Sequence, residues 1–182
     1  FVSRARAVRP QYAPTDEDLE AIGSIVRALD GLPLAIELAA ARMGVLPPVK
    51  LLERLGKRFD LLSGGARGGR HRTLRDAIEW SWQLLDTAEQ SALVQCAVFR
   101  GGFDLEAAEA VVDLSHVENA SMVMDVVQGL REKSLLRLVE GADSSDVRFS
   151  MLESIRAFAE EKLQASGLRE ATQERHARHY LE

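Results

Sequence analysis

Apolar residues recur at every third or fourth position through the first part of the chain, a spacing that places them on one face of an α-helix. The first such run follows Thr15, which forms a capping-box pattern with Asp18 three residues later. Its apolar positions are Leu19, Ile22, Val26 and Leu29. The pattern therefore predicts a helix from Thr15 to about Asp30 that packs through one face.

A tight corner is predicted directly after this helix. Gly31 suits the left-handed backbone that ends many helices, and Pro33 has the fixed φ that suits a first helical turn. Residues 35–43 are strong helix formers, and a third helical pattern starts near Pro48. We therefore expect residues 1–62 to form one small helical unit.

The next ten residues, 63–72, contain four glycines and three arginines. This composition is typical of a linker between domains, because such a segment has no apolar side chains with which to pack. Glycine absorbs large changes in φ and ψ at low steric cost, so we predict that Gly64 and Gly65 act as a hinge. A passive tether is the alternative interpretation.

The remaining pattern predicts helices followed by a β-hairpin. Four helical runs are expected at residues 73–85, 86–98, 105–112 and 122–132. Two strand-like segments, a helix and an amphipathic tail follow, at residues 135–139, 147–151, 152–164 and 170–181. The expected fold class is mainly α: a small helical bundle, then a winged-helix-like domain with a short two-stranded β-hairpin over 73–165, and the start of a C-terminal helical region at 166–182.

Composition and charge narrow the function classes. Hydrophobic residues make up 46% of the 182 positions, which is enough to bury a core, and aromatic residues make up only 5%. The net charge of −5 gives no general attraction to nucleic acid. A single cysteine, Cys96, cannot form an internal disulfide, and no apolar run is long enough to span a membrane. We expect a cytoplasmic protein, and Phe1 at the start indicates a piece of a longer chain.

The segment Leu29–Arg42, with the letters LDGLPLAIELAAAR, resembles the "GLPLA" segment of STAND ATPases, the signal-transduction ATPases related to NB-ARC proteins. Further segments are similar to bacterial regulators of that family in the same order. They are Leu51–Leu55, Arg58 with Phe59, Thr73–Arg75, Trp80–Trp82, Phe99 with Gly101–Phe103, Lys133–Leu135 and Leu152–Arg156. The resemblance covers nearly the whole chain, and it corresponds to the helical lid and the winged helix of those proteins.

The resemblance implies a nucleotide-switched transcriptional regulator that binds ADP or ATP in its full-length form. Its partners would be a P-loop ATPase core and C-terminal sensor repeats of the same parent chain, with self-association on activation. The family's lid proline corresponds to Pro33, and Gly31 and Leu32 shape the turn beside it. The alternative for these three residues is a purely structural helix corner.

The chain lacks the G-x-x-x-x-G-K-[ST] run that cradles nucleotide phosphates, so we do not expect it to be an enzyme or to hold a nucleotide tightly by itself. Many NB-ARC proteins carry Met-His-Asp where this chain has Met151-Leu152-Glu153. Leu152 offers no donor to a phosphate, and Glu153 suits the first turn of a helix. We therefore treat Leu152 and Glu153 as sensor or hinge candidates, with a structural helix start as the favoured interpretation.

The basic residues Arg70, Arg72 and Arg75 are candidates for contacts to phosphate or to an acidic partner surface. A solvated linker is the alternative for each of them. His176 and His179 lie one turn apart on the tail helix, but the neighbouring arginines disfavour a cation, and we predict no metal site.

Two other functions compete with the STAND module. A DNA-binding winged helix would have to place residues 122–132 in the major groove, and Asp125 and Glu132 would then face phosphates. We therefore expect DNA binding through this chain to be unfavourable. A helical adaptor that docks proteins without nucleotide is the third possibility, which the sequence does not exclude. The ordered resemblance favours the STAND module over both alternatives.

Overall fold

A computed structural model describes residues 1–29, 31–62, 70–140 and 147–181. These residues group into two compact units, Phe1–Ser81 and Trp82–Glu182. Of the described helices, none combines the length and the apolar character needed to cross a membrane.

The described residues of the first unit form five helices and one short 3₁₀ turn. They are α1 (Val2–Val8), α2 (Asp16–Ala28), α3 (Pro33–Ala41), the 3₁₀ turn (Arg42–Gly44), α4 (Pro48–Leu62) and α5 (Arg70–Gln83), whose last two residues fall in the second unit. One buried cluster joins α2, α3, α4 and α5, and its members are Ile25, Leu29, Ala35, Ala39, Leu51, Leu55, Ala77 and Trp80. The helical character predicted for this part of the chain is observed, and α1 is an addition that the periodicity did not predict.

The predicted capping box and helix corner are both observed. The Thr15 hydroxyl accepts a hydrogen bond from the Asp18 N–H, and the Asp18 carboxylate accepts one from the Thr15 N–H. Helix α2 ends at Ala28, two residues before the expected end, and Asp30 lies outside the described residues. Gly31 has a φ of 66°, a left-handed value that glycine adopts without strain, and Pro33 begins α3.

The second unit has the order of a winged helix. Its elements are α6 (Thr87–Cys96), α7 (Leu105–Val111), α8 (Val123–Glu132), β1 (Arg137–Glu140), β2 (Val147–Ser150), α9 (Glu153–Ser166) and α10 (Arg169–Leu181). The two strands pair antiparallel, with Leu138 opposite Phe149. Phe103, between α6 and α7, forms an isolated bridge to Phe149. The predicted fold class, mainly α with a winged helix and a two-stranded hairpin, is therefore confirmed.

The close approach of the Phe103 segment to the hairpin depends on Gly102. This residue has a φ of 86°, and a Cβ placed on it would lie 3.0 Å from the Phe149 carbonyl oxygen. A side chain there would push the segment away from the strand. Phe103 itself is fully buried and stacks on Phe99, with ring centroids 4.4 Å apart.

Besides the end of α2, the starts of β1 and α5 differ from the predicted ones. Strand β1 starts at Arg137, because Ser134 adopts a φ of 62° and the chain turns there, so that Leu135 and Leu136 enter the core before the strand begins. Helix α5 starts at Arg70, three residues earlier than expected, since nothing in the Arg70–Arg72 segment breaks a helix.

The predicted division into 1–62, 63–72, 73–165 and 166–182 stays a prediction, because residues 63–69 lie outside the described part of the chain. The observed grouping differs from it in two respects: most of α5 belongs to the first unit, and the region after residue 165 belongs to the second unit. Trp80 is buried in the first unit, whereas Trp82 packs edge-on against Phe158 in the second, with ring centroids 5.9 Å apart. The two tryptophans of α5 therefore belong to different units.

Candidate functional site

The helix before the hairpin, α8, is the element that a winged helix would present to a partner. Val126, Val127 and Leu130 anchor it in the core of the second unit. The opposite face is exposed, and it presents Met122, Met124, Asp125, Gln128 and Glu132. We call these five residues the α8 face.

The α8 face includes two acidic and no basic side chains, and the one arginine of α8, Arg131, is half-buried in the last turn of the helix. The Gln128 side-chain amide donates a hydrogen bond to the Glu132 carboxylate at 3.0 Å, which leaves the negative charges of Glu132 and Asp125 in place. The nearest lysine, Lys133, pairs with the buried carboxylate of Glu89 on α6. This lysine therefore neutralises a core charge instead of adding to the exposed face.

The excess of negative charge extends over the whole second unit. Residues 82–182 contain 10 lysines and arginines against 18 aspartates and glutamates. Residues 1–81 contain 13 against 10. The winged-helix unit thus carries a formal charge of −8, while the first unit carries +3.

The hairpin adds exposed apolar side chains to the same unit. Leu138, Val139 and Val147 are each about half exposed, at 46%, 48% and 56%. Arg148 is held back towards the body of the unit, because its guanidinium donates to the Gly102 carbonyl at 3.2 Å. Exposed aliphatic side chains of this kind are more typical of a protein contact than of a phosphate contact.

Leu152 and Glu153 stand where the sequence placed them, at the start of α9. Leu152 is the N-cap residue and makes no side-chain capping bond. The Glu153 carboxylate is exposed and accepts hydrogen bonds from Arg156, which together with charge attraction from Arg156 and Arg100 lowers its pKa. The carboxylate is therefore engaged by arginine, and a sensor role for these two residues remains a prediction.

The Gly31-Leu32-Pro33 corner lies on the surface of the first unit. Gly31 and Pro33 are exposed, and an added Cβ on Gly31 would meet nothing within 4 Å. Leu32 is half-buried and packs against the hydrophobic cluster of the unit. The corner is thus held by one apolar side chain and open on the outside, which is compatible with a contact to another domain or molecule.

The remaining candidates are placed only in part. Arg75 is exposed on α5, and Arg70 and Arg72 belong to the first turn of the same helix. Gly64 and Gly65 fall outside the described residues. Within the described ranges, no group of three or more His, Cys, Asp or Glu side chains has the arrangement of a metal site.

Both Cys96 and His176 are packed against other parts of the second unit. Cys96 is completely buried, and burial raises the pKa of its thiol to about 12. The His176 ring packs edge-on against Phe99, with centroids 5.2 Å apart. Burial, and the charge of the neighbouring His179, lower the pKa of His176.

Sequence reasoning missed a buried polar cluster that connects α10 to the rest of the second unit. The Gln95 amide donates to the Asp113 carbonyl at 2.8 Å and accepts from the Asp113 N–H at 2.9 Å. The Arg175 guanidinium donates to the Gln95 side-chain oxygen and to the Val111 carbonyl, each at 2.8 Å. A glutamine inside the apolar run of α6 was the available signal, but its partner lies 80 residues away.

A protein-family model supports the winged-helix fold of the second unit. Residues 85–164 match the family model described as a winged helix-turn-helix domain. The chain is 41% identical over 181 residues to a protein of Mycobacterium tuberculosis (strain ATCC 25618 / H37Rv) that is named as a candidate HTH-type transcriptional regulator, and the same holds for its counterpart in Mycobacterium bovis. It is 38% identical over 181 residues to an uncharacterized protein of the same M. tuberculosis strain.

These alignments cover 98% of this chain but smaller shares of the relatives. The chain spans a fifth of the length of the named regulators, and 46% of the uncharacterized protein. Among solved structures, none matches this chain significantly.

Proposed function

We propose that this chain is part of a longer transcriptional regulator, in which the winged-helix unit helps to control the regulator's activity. The observation that carries the proposal is the winged-helix order of the second unit, in a chain that is similar over nearly its full length to proteins named as HTH-type regulators. The rest of such a regulator would supply the parts that this segment lacks.

The test of this proposal is made in cells that express the gene encoding this chain. The double substitution Met122→Ser and Met124→Ser removes the two large apolar side chains of the α8 face, both of which are well exposed, so the fold should be retained. We expect a defined set of transcripts to change in RNA sequencing. The control is Glu109→Gln on the exposed side of α7. An unchanged transcript profile at equal protein level would contradict the proposal.

Direct DNA binding through α8 is the second candidate, and the comparisons favour it. In helix-turn-helix proteins the helix in this position lies in the major groove, with its exposed residues against base edges. Basic side chains normally surround such a helix, because most of its affinity for DNA comes from the neutralisation of phosphate charges. The α8 face presents Asp125 and Glu132 instead, so we assign the unit a regulatory protein contact in preference to DNA readout.

A charge-removing variant separates these two roles. Asp125→Asn with Glu132→Gln removes two negative charges from the α8 face and keeps the side-chain shapes. If α8 faces DNA, this variant should bind a duplex several-fold more tightly than the unmodified chain. We expect no difference beyond that of the control variant Glu109→Gln, measured by fluorescence anisotropy at low salt.

A finer role is that of the lid and winged helix of a nucleotide-switched STAND ATPase. It rests on the ordered resemblance of the sequence segments and on the exposed Gly31-Leu32-Pro33 corner. The matching family model and the relatives' names do not mention an ATPase. In a parent protein of this type, Pro33→Ala should weaken ADP binding, and Pro14→Ala, in the loop before α2, is the matched control.

A further inference from the structure

A small cavity in the second unit collects arginines in an otherwise acidic body. Its volume is about 150 Å³, and it lies where α9 and α10 meet the end of α6. Arg100, Arg156 and Arg169 line it, together with Gln173 and His176, and Glu160 is the one acidic residue in the lining. Three of the ten basic residues of residues 82–182 thus converge on one cavity.

Of these three arginines, Arg156 is the one that donates hydrogen bonds to neighbouring side chains in the described structure. The Arg156 guanidinium donates to Glu153 on one side and to Glu160 at 3.2 Å on the other, which fixes its position. Among the described residues, neither Arg100 nor Arg169 has a hydrogen bond or an ion pair, although Arg100 is close enough to Glu153 to affect its pKa. Two guanidinium groups at the cavity are therefore available to an incoming anion.

The start of α10 adds to the positive character of the cavity. Arg169 is the first residue of this 13-residue helix. The N–H groups of a first helical turn lack partners within the helix, and the helix dipole places partial positive charge there. The same turn also carries the exposed carboxylate of Glu170, which does not line the cavity, so the arginine side chains supply most of the positive charge there.

The size of the cavity limits what it can enclose. About 150 Å³ corresponds to the volume of roughly five water molecules. A phosphate group has five heavy atoms and fits this space. The bidentate geometry of guanidinium groups also suits phosphate oxygens better than a single spherical ion.

We propose that this cavity is a binding site for a phosphate group, either free or as the end of a small phosphomonoester, held mainly by Arg100 and Arg169 and oriented by Arg156. The ligand would join α10 to α9 and to the segment that follows α6. The proposal does not depend on the function proposed above, because it concerns the chemistry of one cavity.

The experiment is an NMR titration of the 182-residue chain with three probes at constant ionic strength: inorganic phosphate, ribose 5-phosphate and chloride. We expect saturable shifts of the Gln173 and His176 signals with phosphate or ribose 5-phosphate, and none beyond the salt effect with chloride. Comparing the first two probes shows whether the site takes the free ion or the ester. Shifts that are equal for all three probes would overturn the proposal.

The variants Arg100→Gln and Arg169→Gln test the assignment, singly and together. Neither arginine makes an internal hydrogen bond in the described structure, so we expect both variants to fold. The double variant should bind the phosphate probe at least about ten-fold more weakly, since each charge-assisted contact is of that order. Arg178→Gln, on the exposed side of α10 and outside the cavity, should bind as the unmodified chain does. Unchanged affinity in the double variant and in both single variants would overturn the proposal.

Discussion

At the residue scale, the Gln95 side chain connects several segments of the second unit through hydrogen bonds. It is completely buried, and its amide satisfies both backbone groups of Asp113 while accepting from Arg175. A buried polar group that loses its partner costs more than the hydrogen bond itself is worth. The side chain therefore stabilises three segments of chain that are far apart in sequence.

We predict that Gln95→Leu lowers the free energy of unfolding by about 3 kcal/mol, because two backbone groups and a guanidinium are left without their partner. Urea unfolding followed by circular dichroism measures this change. The control is Gln128→Leu on the α8 face, where the amide bonds only to exposed Glu132 and the expected change is below about 0.5 kcal/mol. Equal changes in the free energy of unfolding would show that the buried hydrogen bonds of Gln95 add no more stability than the exposed one of Gln128.

His176 gives a prediction about pH at the same scale. Its pKa in the folded chain is below the ordinary value of 6.5, first because of burial and second because of His179. The unfolded chain therefore binds this proton more readily, and the stability that depends on neutral His176 is lost as the pH falls through about 6.5.

We accordingly expect the free energy of unfolding to fall between pH 7.5 and pH 5.5, and to fall less in the variant His176→Gln. Urea unfolding at the two pH values gives both differences. An identical pH dependence in the variant and in the unmodified chain would mean that the His176 imidazole is not the group responsible.

At the element scale, helix caps determine where helices begin. The capping boxes of α2 and α6 are complete in the structure, and both are legible in the sequence as Thr15 with Asp18 and Asp86 with Glu89. We predict that Thr15→Ala lowers the stability of the chain by about 1 kcal/mol, because the Asp18 N–H loses its acceptor.

The matched control for the cap is Ser121→Ala, an exposed hydroxyl just before α8 that has no capping role in the structure. Thermal unfolding of both variants gives the comparison. If Thr15→Ala and Ser121→Ala shift the midpoint by the same amount, the capping box does not stabilise α2.

The elements also show what sequence patterns reveal and what they do not. Caps and apolar periodicity are local, so the helices from α2 to α10 and the hairpin could be predicted from the chain itself. Helix α1 could not, because it has no side-chain cap and buries only Ala5. The start of β1 was misplaced because the apolar run at Leu135 enters the core through a turn and not through a strand.

Some candidate sites could likewise be predicted from the sequence, and the arginine cavity could not. The helix start at Leu152 and the Gly31 corner follow from local signals. The arginine cavity could not be found by pattern, because Arg100, Arg156 and Arg169 come from three separate segments. Such a cluster forms only when α6, α9 and α10 pack together, so no local sequence pattern predicts it.

At the scale of the whole molecule, we predict that the chain has no ATPase activity of its own, because its sequence contains no P-loop to hold the nucleotide phosphates. A steady-state phosphate-release assay on the 182-residue chain should show no turnover above the blank. Protein-dependent turnover that persists through repurification would contradict this.

Charge is the other property of the whole molecule that bears on function. The two units differ by eleven charges, with −8 on the winged-helix unit and +3 on the first. A unit with that excess of carboxylates repels a polyanion over several ångströms, and the repulsion is strongest at low salt. This favours a winged helix that regulates through protein contacts.

The most direct measurement is the binding of the 182-residue chain to labelled DNA duplexes by fluorescence anisotropy, at 50 mM and at 150 mM salt, with several unrelated sequences. We predict weak, unselective binding at 50 mM that disappears at 150 mM, because few phosphates are neutralised. Tight binding that distinguishes one sequence from the others at 150 mM would contradict the assignment of a regulatory role without DNA readout.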